Sequence, residues 1–218
     1  MKNEVTFIIV DDHPISRGGI SALIQQDSRF RIVDEFDTAE EALEFLDKNR
    51  VDFAIVDITL KGMDGIQLIK EIRSQKLQVN ILVLSMHDEY IYAKRVIQAG
   101  AQGYIMKKAL SEKILEGIYA VLKGEVYLSP AVTLDPHDRQ PGFLSGEYSF
   151  INDLSDRELE IFQLMGQGLT PKQISSQVGI GVGTVHTYCT RIKEKFSLKT
   201  NAELREKAVL WDREKNKI

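Results

Sequence analysis

The chain holds a single cysteine, Cys189, among its 218 residues. One thiol excludes a disulfide within the chain and any metal cage built only of cysteines. Proline is also scarce, five in all. Three of them, Pro130, Pro136 and Pro141, crowd into one stretch, so regular structure is little interrupted elsewhere. No apolar run reaches the roughly 18 residues that a membrane helix needs. The opening Met1-Lys2-Asn3-Glu4 shows no leader pattern, and the expectation is a cytoplasmic protein with no membrane partner. Neither sign of charge dominates: 28 Lys+Arg stand against 32 Asp+Glu, a net of −4. With 43% hydrophobic and 28% charged residues, the composition is that of a folded protein rather than a disordered or collagen-like one. A length of this order predicts two small domains.

The small net charge hides an asymmetry. Residues 1–150 carry 17 Lys+Arg and 23 Asp+Glu, whereas residues 151–218 carry 11 and 9. Between positions 170 and 199, Lys172, Arg191, Lys193, Lys195 and Lys199 meet only Glu194. An acidic part therefore precedes a part with a basic patch. That pattern hints at nucleic acid on the C-terminal side, although a solvated basic face would look the same.

Short β-rich apolar runs mark the first 125 residues: Thr6–Val10, Arg31–Phe36, Phe53–Val56, Asn80–Leu84 and Tyr104–Met106. Stretches of helical spacing separate them; in the last, Ile114, Leu115, Ile118, Val121 and Leu122 share one helical face. Five such units predict an α/β fold, a doubly wound five-stranded parallel sheet with helices on both faces. Gly124 closes the fifth helix. Leu128–Tyr148 shows no period and collects the three prolines with Gly142, Ser145 and Gly146, the composition of a linker. The predicted division is a first domain over 1–127, a linker over 128–150 and a second domain over 151–218.

From Leu154 onward the pattern is all-α. Ser155 with Glu158 and Thr170 with Gln173 read as capping boxes, and Pro171 occupies a first helical position. Glycines at 166, 168, 179, 181 and 183 mark turns. A third helix spans about Thr184 to Phe196 and a fourth about Thr200 to Trp211. Four short helices with tight turns can hold a helix-turn-helix.

Open α/β sheets bind ligands at the carboxyl ends of their strands. Asp11 and Asp12 follow the first strand, Asp57 the third, Ser85 the fourth and Lys107 the fifth. Taken singly, each acidic residue reads as a helix cap. Together they bring three carboxylates, a hydroxyl and an ammonium to one edge. Clustered carboxylates raise one another's pKa unless a cation sits among them, and oxygen ligands suit Mg²⁺. A carboxylate can also attack phosphorus to give an aspartyl-phosphate. In the third helix of the all-α part, Val185, either Cys189 or Tyr188, Ile192 and Phe196 repeat at the spacing of an inward face. His186, Thr187, Thr190, Arg191 and Lys193 lie off it, as they would on a bundle helix with a basic outer face or on a DNA-reading helix.

Residues 5–125 resemble a response-regulator receiver domain. The resemblance rests on Val10-Asp11-Asp12-His13-Pro14, on Val56-Asp57 with Gly62-Met63-Asp64-Gly65, on Leu84-Ser85, and on Ala99-Gly100-Ala101-Gln102-Gly103-Tyr104 leading to Lys107. Residues 151–212 resemble the LuxR-type helix-turn-helix through Leu154-Ser155-Asp156-Arg157-Glu158, Gly168-Leu169-Thr170, Lys172, Ile174, Gly179-Ile180, Thr184-Val185, Ile192 and Lys195. Together they resemble a NarL/FixJ-type response regulator, which implies a flavodoxin-like first domain and a regulator rather than an enzyme. The resemblance implies that Asp57 is phosphorylated by a sensor histidine kinase. Asp11, Asp12, Asp57 and the Thr59 carbonyl would hold Mg²⁺, Lys107 would pair with the phosphoryl group, Ser85 would move towards it and Tyr104 would turn inward. It further implies that helix 184–196 enters double-stranded DNA, with His186, Thr187 and Thr190 at base edges and Lys172, Thr184, Arg191, Lys193 and Lys195 at phosphates. The active form would be a homodimer, with RNA polymerase a further partner. Two other readings stay open: a regulator that ignores phosphate and dimerises through the first domain, and an aspartyl-phosphate phosphatase, for which Thr59 lacks the second acid. Lys61 and Lys108 stand where the family usually has proline. A cis bond between two lysines would cost about 3 kcal/mol, so the geometry after Lys107 is left to the fold.

Overall fold

The computed structural model describes residues 4–129 and 146–215. Positions 130–145 of the expected linker, its three prolines included, lie outside the described residues. The chain forms two compact units, Met1–Asp138 and Arg139–Ile218.

The first unit alternates β1 (Val5–Val10), α1 (Pro14–Ile24), β2 (Phe30–Phe36), α2 (Ala39–Lys48), β3 (Phe53–Asp57), α3 (Gly65–Ser74), β4 (Asn80–Ser85), α4 (Glu89–Ala99), β5 (Gly103–Met106) and α5 (Leu110–Leu122). The strands are all parallel, in the order β2-β1-β3-β4-β5. This is the predicted doubly wound sheet. β3 is buried at every residue, which explains its unbroken apolar run: a central parallel strand is covered on both faces. Phe7, Ile9, Phe53, Ile55, Leu82 and Leu84 face the side where Ile20 and Ile24 of α1 and Ile114 and Ile118 of α5 complete the core. The alternate residues Ile8, Val10, Ala54, Val56 and Val83 are equally buried on the other side.

Strand order reverses between β1 and β3, and a crevice opens there beyond the strand ends. Register then decides what meets in it. Val10 pairs with Val56, Asp57 with Leu84, and Ser85 with Met106. The groups one step on therefore emerge level at the same edge. Local caps aim the helices away from it: the Thr38, Asp64 and Asp88 side chains accept the Glu41, Gln67 and Tyr90 amides. At Gly65 a Cβ would lie 1.9 Å from the Asp57 carbonyl oxygen. Only glycine lets α3 begin so close to the end of β3, where the Gly65 amide donates to Ile58 at 2.9 Å. After β5, Lys107–Ala109 form a short 3₁₀ turn, and no peptide bond among the described residues is cis.

The second unit opens with a 3₁₀ segment, Gly146–Asp153, followed by α6 (Asp156–Gly166), α7 (Pro171–Val178), α8 (Val182–Lys195) and α9 (Asn201–Lys215). Both capping boxes form as predicted, with Pro171 in the first turn of α7. Trp211 of α9 is fully buried, its ring 5.8 Å from that of Phe162. Phe150 packs edge-on to Phe196, centroids 4.4 Å apart, so the chain belongs to this unit from at least Phe150. Cys189 is buried, its Sγ 3.7 Å from Met165 Sδ, and burial pushes its thiol pKa up. A buried thiol of that kind packs like a small hydrophobe.

Candidate functional site

Four strand ends supply the crevice of the first unit. Asp11 is 1% exposed and Asp57 4%, and Ser85 is fully buried. Lys107 Nζ sits between the two carboxylates, 2.6 Å from Asp11 Oδ2 and 2.7 Å from Asp57 Oδ2. Asp11 is held further: its Oδ2 accepts Ser16 Oγ at 2.6 Å and its Oδ1 accepts the His13 amide at 2.9 Å. Burial raises the Asp11 pKa, but Lys107, Ser16 and the His13 amide outweigh it and leave the group below its ordinary value. Asp57 is less well served. Beyond Lys107, the Thr59 amide reaches its Oδ1 at a long 3.3 Å. Burial wins there and pushes Asp57 up to about 6, with Lys107 pulling the other way. Burial also works against the Lys107 charge, but Asp57 and Asp11 outweigh it and keep the ammonium protonated.

Asp11, Asp12, His13 and Asp57 each place a ligand-type atom within 4.8 Å of the others. Asp12 Oδ1 is buried and makes no hydrogen bond among the described residues, although His13 Nδ1 lies 2.7 Å away. An unsatisfied buried oxygen beside two further carboxylates is a donor set for a hard cation, and these residues fit Mg²⁺.

A second layer connects the site to α4. Ser85 Oγ accepts the His87 amide at 3.2 Å. The Tyr104 hydroxyl donates to the His87 carbonyl at 2.8 Å. The Tyr104 ring is fully buried, so the inward position is already taken in this conformation, and burial pushes its phenol well above the ordinary range. Thr59 Oγ1 lies 2.8 Å from His87 Nε2, and the imidazole stacks on Tyr92 with centroids 4.7 Å apart.

In the second unit, Val185, Cys189 and Ile192 turn α8 inward. Thr184, His186, Thr187, Thr190 and Arg191 are exposed, as is Lys172 on α7, and Lys193 is half-buried. The Thr187 and Thr190 hydroxyls donate back to the carbonyls of Gly183 and His186. Arg191 lies 5.7 Å over the Tyr188 ring. Lys195 stands apart from this set. Its Nζ donates to Glu158 Oε2 at 2.6 Å and to the Asp153 carbonyl at 2.9 Å. It ties the end of α8 to the start of α6, and Glu158 is the same carboxylate that closes the α6 capping box.

Residues 7–119 match the response regulator receiver domain, and residues 152–208 match the LuxR family of bacterial regulatory proteins. The chain belongs to the response regulators. A putative transcriptional regulator of Pseudomonas aeruginosa is 35% identical over 197 residues, 90% of this chain and 93% of that one. The transcriptional regulatory protein DegU of Brevibacillus brevis is 28% identical, covering 90% of this chain and 89% of its own. Among solved structures, a LuxR-family two-component response regulator from Aurantimonas is 32% identical with a TM-score of 0.56, over 59% of this chain and 91% of that chain. RcsB of Salmonella enterica serovar Typhimurium, at 24% identity, shares the fold with a TM-score of 0.62 over 94% of this chain and 98% of its own.

In this receiver domain the sequence reading singled out the five groups of the acidic edge but passed over Ser16, Arg17 and His87. Arg17 donates to the Asp11 carbonyl at 2.5 Å. Ser16 and Arg17 follow Asp11 by only five and six positions, in the first turn of α1, and that nearness in the chain could have pointed to them. His87 had no such signal, because its contact with Thr59 spans 28 positions.

Proposed function

We propose that Asp57 is the phosphoacceptor of this response regulator and a phosphohistidine on a sensor histidine kinase its donor. An Asp57 carboxylate oxygen attacks phosphorus; the O–P bond forms as the N–P bond breaks, and the electron pair leaves with the donor histidine. Asp11, Asp12, Asp57 and the Thr59 carbonyl would hold Mg²⁺, which when bound supplies neutralising charge to the phosphoryl oxygens. Lys107 offers the remaining counter-charge. It gives up Asp57 Oδ2 for a phosphoryl oxygen while Asp11 keeps it in place. Ser85 donates to another phosphoryl oxygen, and the Tyr104–His87 bond sets the position of the loop before α4.

The observation that carries this reading is Lys107 lodged within 2.7 Å of two nearly fully buried carboxylates at adjoining strand ends. Incubation with acetyl phosphate and Mg²⁺ should add one phosphoryl group to the intact mass. Chelator or Asp57→Ala should abolish it. Labelling that persists in Asp57→Ala overturns the assignment.

The output is transcriptional control through α8 in the major groove of double-stranded DNA. His186, Thr187 and Thr190 face base edges; Lys172, Thr184, Arg191 and Lys193 face phosphates. Lys195 is assigned to holding α6, since Glu158 and the Asp153 carbonyl already engage two of its three N–H donors. RcsB has been solved on promoter DNA with a phosphomimetic and as paired dimers on DNA, which supports a DNA-bound homodimer here as well. Two copies on paired half-sites multiply a modest single-site affinity. RNA polymerase is the partner such a dimer would meet at a promoter, in the cytoplasm.

A further inference from the structure

The three residues after Val126 do not leave the receiver domain at once. Tyr127 runs beside the edge strand β5 in a parallel bridge to Gly103. The Tyr104 amide donates to the Tyr127 carbonyl, and the Tyr127 amide to the Gln102 carbonyl, both at 2.9 Å. Two residues on, the Ser129 amide donates to Glu89 Oε1 at 2.7 Å. Glu89 is the first residue of α4 and is itself buried.

The seat for this segment is built into the sequence. A Cβ at Gly103 would lie 3.0 Å from the Tyr127 carbonyl oxygen, and one at Gly117 would lie 3.1 Å from the Tyr127 ring. Both glycines leave room for Tyr127 and also for Leu82 and Ile105, to whose side chains a Cβ would come closer still, at 2.7 and 2.8 Å; the Tyr127 ring packs against the receiver core. The segment is thereby tied to two groups that also hold the loop before α4. Tyr104 gives its amide to Tyr127 and its hydroxyl to the His87 carbonyl. Glu89 stands two residues after His87 and grips Ser129.

We propose that Tyr127–Ser129 is a strap, latched by Glu89, that passes the state of the His87–Glu89 loop to the chain leading into the DNA-binding unit. The inference rests on the phosphoacceptor reading above. In the conformation described, the latch is closed. Movement of the loop towards a phosphoryl group on Asp57 carries Glu89 away from Ser129, whose amide follows the linker rather than α4. The strap then opens from Ser129 backward, while the Tyr127 bridge to β5 persists. Glu89 is thus a positioning residue that touches no reacting atom.

Hydrogen exchange on the full-length chain tests this. Glu89→Ala should speed exchange at the Ser129 amide about tenfold, the worth of one hydrogen bond to a charged acceptor. Glu89→Gln retains an acceptor oxygen and should stay close to the parent. Asp57 labelling by acetyl phosphate, followed by intact mass, should be unchanged in both variants. In the parent, phosphorylation should speed Ser129 exchange to the Glu89→Ala level and leave Tyr127 slow. Ser129→Pro removes both the amide and the hydroxyl that Ser129 offers Glu89 and leaves the residues of α4 unchanged, and should make proteolysis of the linker equal with and without phosphate. Ser129 exchange as fast in the parent as in Glu89→Ala overturns the latch. Unchanged exchange on protein whose mass shows the added phosphoryl group overturns the coupling. Absence of that mass increment would overturn the phosphoacceptor reading instead, and leave the Glu89→Ala comparison as the test of the latch alone.

Discussion

Asp57 carries opposed demands. In the proposed phosphoryl transfer it acts in its ionised form, yet its burial raises its pKa from 3.8 to about 6. A carboxyl with a raised folded-state pKa binds its proton more tightly in the folded chain. The associated stability is complete below the unfolded value and is lost as pH rises from about 4 through about 6. Asp57→Asn keeps the shape without the charge. It should therefore be more stable than the parent at neutral pH, by on the order of 1 kcal/mol once the partner lost by Lys107 is counted, and the advantage should vanish near pH 4. Urea titrations at pH 4 and 7.5 would show it; an advantage larger at pH 4 would contradict this account of the buried charge. A second prediction separates two neighbouring lysines. Lys193→Ala should flatten the salt dependence of DNA binding by roughly one unit of slope. Lys195→Ala should leave the slope nearly unchanged and instead destabilise the helical unit, since it strips Glu158 of its 2.6 Å partner. Slope changes of equal size in the two variants would return Lys195 to the phosphate contacts.

Elements begin and end where backbone groups find partners, and glycine shows this with opposite signs. Gly18 and Gly19 lie inside α1, and a Cβ on either would meet nothing within 4 Å. Gly18→Ala should stabilise the receiver by up to about 1 kcal/mol through helix propensity alone. At Gly65 the same change drives a Cβ into the Asp57 carbonyl. It should cost about 2 kcal/mol or more and slow phosphorylation, because the end of β3 must shift. Thermal melts of the two variants, with the mass assay for Gly65→Ala, check both; matching signs would refute the packing argument. The helix ends follow the same rule. α8 begins at Val182, earlier than the Thr184 expected from apolar spacing, because Gly181 has extended backbone and acts as the N-cap without a side-chain bond.

At the scale of the molecule, an acidic receiver is joined to a unit whose α7 and α8 expose Lys172 and Arg191. Attraction between them would hide cations that DNA needs. A phosphoryl group on Asp57 would add negative charge and would not by itself relieve such attraction, so any release would have to come from changed shape. The fragment 146–218 has its own core, in which Trp211, Phe162 and Ile192 are fully buried. It should bind DNA more tightly, per domain, than the unphosphorylated full chain at equal salt. Gel-shift titrations would decide: equal or weaker binding by the fragment would exclude masking and leave dimerisation as the switch.

Much of the architecture was legible in the sequence because it depends on near neighbours. Strand runs, helical stripes, the two capping boxes and the acidic residues at strand ends are set within a few positions, where periodicity and side-chain chemistry act directly. The parallel sheet followed from the alternation of those elements. The gathering of Asp11, Asp57 and Lys107 at one edge was legible from the strand ends, but the individual bonds there and beyond were not, because they join positions far apart. Lys107 reaches Asp11 across 96 positions, Lys195 reaches Glu158 across 37, and His87 meets Thr59 across 28. Leu128 and Ser129 of the strap fall in the stretch whose composition is that of a linker, since so short a segment has no period to reveal that Tyr127 before it seats on a strand edge. Local sequence determined which elements form and which side chains stand at their ends. Strand register and helix packing alone decided which of those side chains meet, because a contact between distant positions is made by the fold and leaves no spacing in the chain.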